Sequence, residues 1–327
     1  MGSTGTIPAF SQEYMNETRG PLVRGVAITF MVLEISVVTM RLASRRLVKA
    51  PLGLDDLLVF PSLGFCVALS GFAIAETHIA GVGRHLDVLF VTNPQAIINW
   101  LKCGYAIEQL YCTAVVFPKL SILASYLRIF LTRGYRRAAY ALAVVVVSNG
   151  IAGVVTSLAS CQPFSARWQG VEYAALHCID TVAYWRWISF PNILTDVVMI
   201  VLPLPVIWGL QMSQKERIGL TLIFLTGGLG LVTSIIRFTI FFNVKALTND
   251  GTFVSADLAI WSLVEPGMYL LAACLPTLRP LILKLFGGVR AAKNISGESS
   301  KTDDVQLEWR SRRNHSRLSD EDNILDH

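Results

Sequence analysis

Residues 114–130, AVVFPKLSILASYLRIF, place Lys119 inside a run that is otherwise apolar or small until Arg128. Glu34, Asp196 and Glu265 interrupt other apolar runs in the same way. An ammonium beside carboxylates in an apolar setting has three uses: a structural ion pair, an anchor for a polar ligand group, or an acid and base acting on an apolar metabolite. At a rise of about 1.5 Å per helical residue, Lys119 lies about 13 to 14 Å above the Arg128 end of its helix. The same reckoning puts the three carboxylates about 13 to 18 Å in from the opposite face, so all four share a middle layer. Lys119 is therefore expected to pair with Asp196 or Glu265, with Glu34 the weaker candidate. A second layer, nearer the outer face, holds Glu76, Glu108 and Arg237. There an Arg237–Glu108 pair would tie the third apolar run to the sixth, and the competing expectation is that Arg237 snorkels to an interface.

Other chemistries find no support in residue type or spacing. A retinal Schiff base needs a lysine in the middle of the last apolar run, and ADLAIWSLVEPGMYLLAACLPTL, residues 256–278, contains none. Retinal is thus not expected, and no other cofactor is. The five histidines, His78, His85, His177, His315 and His327, are scattered, so no metal site is expected. Gly81-Val82-Gly83-Arg84-His85 lacks the third glycine and the lysine of a phosphate loop. It reads instead as a turn before a short external helix, with His85 placed to respond to pH.

The elements that must position these groups are apolar helices. Of the 327 residues 53% are hydrophobic and only 16% charged, outside the range of ordinary soluble domains. Runs near 22–42, 54–76, 104–127, 137–160, 185–210, 218–243 and 256–278 each have about the 20 residues that a hydrocarbon core of roughly 30 Å demands. The expected fold is all-α, a bundle of seven transmembrane helices over residues 22–286. A short external tail, 1–21, precedes it, and a polar, disordered cytoplasmic tail, 287–327, follows. With the N-terminus outside, nineteen Lys and Arg fall on the inner side and seven on the outer, and short cytoplasmic loops carry such an excess. The net charge of +5 is then a matter of topology, and nucleic acid is not an expected partner. Asn16-Glu17-Thr18 is a glycosylation acceptor on the outer side of this arrangement, whereas Asn294 and Asn314 begin similar triplets on the inner side. The myristoylation-like Met1-Gly2 start would hold the N-terminus inside and conflicts with the charge pattern. Ser316 and Ser319, among arginines and acids, are candidate kinase sites.

Six cysteines complete the inventory. Cys161 and Cys178 bracket an outer loop on the oxidising side, where a disulfide persists, and the alternative is Cys103 paired with either of them. Cys66 and Cys274 fit free buried thiols.

The ordered set of motifs resembles the fungal rhodopsin-domain integral membrane protein family. It runs through Asp55-Asp56, the Gly81-to-His85 turn, Lys119-Leu120-Ser121 with Tyr126, Arg128 and Phe130, and Cys161, Pro163, Trp168 and Cys178. It continues with Asn192, Asp196, Gly227, Arg237, Trp261, Glu265 and the LPTLRPL run from Leu275 to Leu281. The resemblance covers about residues 22–286 and implies a seven-helix membrane protein with bridged loop cysteines and a signature core of Glu34, Glu108, Lys119, Asp196, Arg237 and Glu265. It also implies either of two roles, since the family holds receptor-like sensors and proteins of secondary-metabolite gene clusters. A receptor-like protein would take a small lipophilic ligand in its outer half and meet a cytoplasmic signalling partner with its basic inner loops. A membrane-embedded enzyme or accessory protein, cyclase- or isomerase-like, would use Lys119, Asp196 and Glu265 as acid and base. Whether the chain is an enzyme is open at this stage. The lipid bilayer is a partner on either reading, in the plasma membrane or an endomembrane. No cysteine-rich external domain precedes the first run, so the binding module of some surface-sensing relatives is not expected.

Overall fold

The computed structural model describes residues 11–49, 51, 53–129, 132–205, 214–243 and 249–278. The tail from 287, the end of the fifth apolar run, Phe130 and the run from Arg279 lie outside the described residues.

Among the described residues the chain is helical. A one-turn helix α1 (Gln12–Asn16), capped by the Ser11 hydroxyl accepting from the Tyr14 N–H, precedes α2 (Gly20–Val48). Pro21 opens α2 where its missing N–H does no harm, and Lys49 closes it in the left-handed conformation. α3 (Leu54–Ile79) starts at Gly53, with Asp55 and Asp56 in the first turn, at the positive end of the helix dipole. A short helix, as expected after the glycine turn, is present as α4 (Leu86–Thr92). α5 (Pro94–Ile129) is longer than its apolar run, since its 36 residues make about 54 Å of rod and must project past a hydrocarbon core of roughly 30 Å. α6 (Arg133–Leu158), a 3₁₀ turn (Phe164–Trp168), α7 (Val171–His177), α8 (Thr181–Val201), α9 (Gln214–Ile240) and α10 (Gly251–Leu278) follow.

A helix occupies each of the seven expected runs, and five of these helices are long and apolar enough to cross a bilayer: α2, α3, α5, α6 and α10. α3 packs on α2 and α5, α5 on α6, and α8 on both α6 and α9. α10 closes the set through its apolar face, with Leu263 meeting α2, α3 and α5 residues in one cluster and Tyr269, Ala272 and Ala273 meeting α5, α6 and α8 residues in another. α5 and α10 are buried along most of their length, whereas α2 and α6 are mostly exposed.

Side-chain placement inverts that of a soluble protein. Leu54 is 74% exposed and Trp187 77%, and Val144, Ile151 and Phe190 are exposed as well. Arg41, Lys119, Glu34 and Glu265 are among the most completely buried side chains. Such an arrangement is stable where the solvent is hydrocarbon: apolar faces turn outward, and every ionised group must find partners inside. The protein is a multi-pass membrane protein.

Between α3 and α4 the chain turns through Gly81 (φ 64°) and Gly83 (φ 92°). At Gly83 a Cβ would also lie 2.6 Å from the Gly20 nitrogen, so this turn admits no larger residue without displacing the start of α2.

Candidate functional site: a neutral ion network in the bundle core

α8 presents Ser189, Asn192, Thr195 and Asp196 inward at three- and four-residue spacing, one face of a helix. α9 brings Gly230, Ser234 and Arg237 on the same rule, α10 brings Glu265 and Tyr269, and α5 brings Tyr111 and Lys119. Where these faces meet, Lys119 Nζ stands 2.6 Å from Asp196 Oδ1, an ion contact rather than an aligned hydrogen bond. It donates to Asn192 Oδ1 at 2.7 Å and to Thr195 Oγ1 at 3.2 Å, and lies 4.9 Å over the Tyr269 ring. Arg237 Nε donates to Glu265 Oε2 at 3.1 Å, Nη2 reaches Ser189 Oγ at 3.3 Å, and the guanidinium stacks 4.0 Å above Tyr111.

Neutral side chains join the two ion pairs into one object. Tyr111 donates to Glu265 Oε2 at 2.7 Å and Asn192 Nδ2 to Oε1 at 2.6 Å. Tyr269 donates to Asp196 Oδ2 at 2.7 Å. Ser234 Oγ lies 2.7 Å from Glu265 Oε1, 2.9 Å from Asp196 Oδ2 and 2.9 Å from the Tyr269 hydroxyl. A hydroxyl has a single proton, so Ser234 serves one of these carboxylates at a time. Two cations and two anions make the set neutral, which is the condition for holding four charges out of water.

Glu108 and Arg237 do not pair. Glu108 Oε2 accepts from Arg167 Nη2 at 2.5 Å, because the loop after α6 folds back over α5. Arg237 points instead into the middle layer. Arg237, expected in the second layer, is bonded to Glu265 of the middle layer, so the separation expected between the layers does not hold for it. Glu34 stands outside the network: it is buried against Gly267, and its Oε2 has no hydrogen-bond partner among the described residues. Glu76 is buried without entering the network either.

The same loop carries the Cys161–Cys178 disulfide, with Cys103 a free thiol. Arg167 also donates to Ser160 Oγ at 3.1 Å and stacks 5.0 Å from Tyr105, while Phe164 meets Tyr105 edge-on at 5.1 Å. The loop after α6 is thereby fastened to α5 around Tyr105 and Glu108.

A second cluster, where the end of α2 meets the start of α3, was not legible as such in the sequence, where Arg41 reads as a topology charge. Arg41 is fully buried, 2.6 Å from Asp55 and 2.7 Å from Asp56, and its Nη1 donates to the Ala273 carbonyl at 2.5 Å. Arg45 reaches the same two aspartates, and Ser121 donates to the Asp55 carbonyl at 2.9 Å. The signal that could have found it is spacing: Arg41 and Arg45 lie on one face of α2, opposite a paired acid at a helix start.

Beside the core network lies a cavity of about 30 Å³, lined by Tyr111, Asn149, Asn192, Thr195 and Arg237 and by Val146 and Ile188. A single water needs about 10 to 15 Å³ of such volume, so the cavity has room for one or two waters between α5, α6 and α8. No group of three His, Cys, Asp or Glu among the described residues is placed to hold a metal ion. The chemistry on offer is hydrogen bonding from Arg237, Asn192 and Tyr111, and proton exchange among Asp196, Glu265 and the hydroxyls between them.

Residues 40–284 match the profile of the Fungal rhodopsin domain. A relative from Metarhizium anisopliae, the polyenoic acids biosynthesis gene cluster protein Ba17b, is 39% identical over 80% of this chain and 74% of its own length. An SAT4 family membrane protein of Emericella nidulans is 27% identical over 72% of this chain and 59% of its own. Receptor GIN3 of Arthrobotrys oligospora is 22% identical over 80% of this chain and 62% of its own. With three quarters of its length under one profile and a relative of that similarity, this chain belongs to the fungal rhodopsin domain family.

Proposed function

We propose that this chain is a receptor-like protein with seven membrane spans, its N-terminus outside and its C-terminus in the cytoplasm, which senses a small lipophilic ligand through its core ion network. The observation that carries this reading is the cavity beside Arg237 and Asn192. A ligand that parts α6 from α8 there would meet hydrogen-bond donors belonging to the same network that joins α5, α8, α9 and α10. A change at one end of such a network biases four helices at once, and a ligand that binds one arrangement better shifts the population toward it. Helices α8 and α9 supply the sixth and seventh spans beside the five apolar enough to qualify alone. The basic inner loops would meet the cytoplasmic signalling partner, in the plasma membrane or an endomembrane. Glycan attachment at Asn16, exposed at the end of α1, would report the orientation directly.

A second reading rests on the names of relatives, which include the polyenoic acids cluster protein above and the wortmanamides biosynthesis cluster protein C of Talaromyces wortmannii. On it the chain is an enzyme or accessory protein in a secondary-metabolite pathway, with Lys119, Asp196 and Glu265 as acid and base. Against it, Lys119 and Asp196 are paired with one another, and Ser234 ties Asp196 to Glu265, which is itself paired with Arg237.

Deletion of the gene, metabolite profiling and complementation with Glu265→Gln separate the two. The receptor reading expects an unchanged metabolite profile and a lost response to a nutrient or surface cue. Accumulation of an unconverted precursor in both the deletion and the Glu265→Gln strain would overturn it in favour of the enzyme.

A further inference from the structure

Three segments distant in sequence converge on His85. Its ring lies between those of Tyr14, 4.0 Å away and 11° from parallel, and Phe253, 4.4 Å away and 10° from parallel. Nδ1 faces Asp250 Oδ2 at 2.5 Å and Nε2 faces Glu17 Oε2 at 3.4 Å. Backbone contacts surround the ring: Arg19 N–H donates to the Gly83 carbonyl, and Gly83 N–H to that of Thr252. Thr252 Oγ1 donates in turn to the Arg84 carbonyl at 2.7 Å. The chain before α2 is thus laid across the outer ends of α3 and α10.

A neutral imidazole has one N–H and one lone pair, whereas an imidazolium has two N–H groups. Of the two carboxylates here, a neutral ring can satisfy only one. Asp250 holds the nearer position and is itself anchored, its Oδ1 accepting from the Leu86 N–H at 2.8 Å. The single proton of a neutral ring therefore belongs on Nδ1, which leaves Glu17 facing a lone pair. Protonation turns that contact into a charge-assisted hydrogen bond. The other charged groups about the ring do not take over this role. Arg19 is engaged with Asp257 at 2.5 Å and lies over the far side of Phe253, and Arg24 contacts His78. Asp87 on α4 and Arg84 in the turn flank the site, and the Tyr14 phenol belongs to the stacked ring.

We propose that His85 is a proton-operated latch: protonation tightens residues 11–19 over the ends of α3 and α10, and loss of the proton loosens them. The sign follows from the pairing. Docking and proton uptake favour one another, so the latch is closed where the ring carries its second proton and opens where it does not. Glu17 is 57% exposed, which limits the coupling to that of a solvent-screened pair. A change of about three- to fivefold in the opening equilibrium is expected between the two protonation states. The device operates whether the chain is a receptor or an enzyme.

Hydrogen exchange of residues 11–19, measured on the full chain in lipid nanodiscs at about pH 5.5 and 7.5 and corrected for the intrinsic rate, tests it. The wild type should show protection falling three- to fivefold at the higher pH, and Glu17→Gln, at an exposed position that leaves the fold intact, should lose that dependence. His85→Gln should lose it as well. A wild type with no pH dependence of protection, or a Glu17→Gln variant that keeps it in full, would overturn the proposal.

Discussion

Lys119→Met isolates the worth of the central ion pair. The substitution keeps the length and apolar stem of the side chain, so the change is the loss of the ammonium. Asp196 then retains donors from Tyr269 and Ser234 on Oδ2 but has no cation within reach, and Asn192 Oδ1 and Thr195 Oγ1 lose the Nζ donor. Removing one member of a buried pair destabilises by about 3 to 5 kcal/mol, because the remaining charge has neither water nor a counter-ion. Asp196→Asn alone leaves Lys119 in the same position and should cost a similar amount. The double variant carries neither charge, and its loss should be much smaller than the sum, since replacing both partners is often nearly neutral. The double-mutant cycle should give a coupling of about 2 kcal/mol or more. Unfolding of the purified full chain in detergent, followed by tryptophan fluorescence against denaturant, measures all four proteins. Strict additivity of the two substitutions, or a Lys119→Met loss under about 1 kcal/mol, would refute the idea that the network is held by mutual neutralisation.

The Arg41 cluster offers a contrast between neighbours. Arg41→Met should destabilise by about 3 kcal/mol or more because Arg41 is wholly buried between two aspartates. Arg45→Met should cost about 1 kcal/mol or less, since Arg45 keeps 12% exposure and Arg41 continues to neutralise the pair, and the same denaturation assay ranks them. In the outer loop Cys178→Ser opens a covalent loop of 17 residues and should remove about 3 kcal/mol. Its melting temperature should then no longer respond to reductant, whereas that of the wild type falls.

The helices themselves were legible because apolar length is a one-dimensional signal: each expected run contains a helix. The start of α5 was not, since Lys102 and the polar residues near it mask the first turns of a rod that extends beyond the hydrocarbon. Position along the helices brought out Lys119, which meets Asp196, but it misassigned Arg237, read into a second layer and found beside Glu265. Azimuth around each helix was not legible, and it decides partners. Arg237 and Glu108 approach in depth yet face different neighbours, one toward Glu265 and the other toward the returning loop with Arg167. The hydroxyls and amides that join the ion pairs gave no charge signal, although the four-residue spacings of Asn192 with Asp196 and Glu265 with Tyr269 were there to be read. Arg41 was assigned by counting cations, and counting carries no information about which face of a helix a cation occupies.

α5 holds Glu108 against the loop after α6, Lys119 in the core network and Ser121 against the Asp55–Asp56 turn. One helix therefore sets the phase of three storeys. Inserting or deleting one residue between Glu108 and Lys119 would swing everything beyond it by about 100° and shift it by about 1.5 Å. The storeys could then no longer all be in register, so this helix can exchange many of its side chains but can hardly change its length.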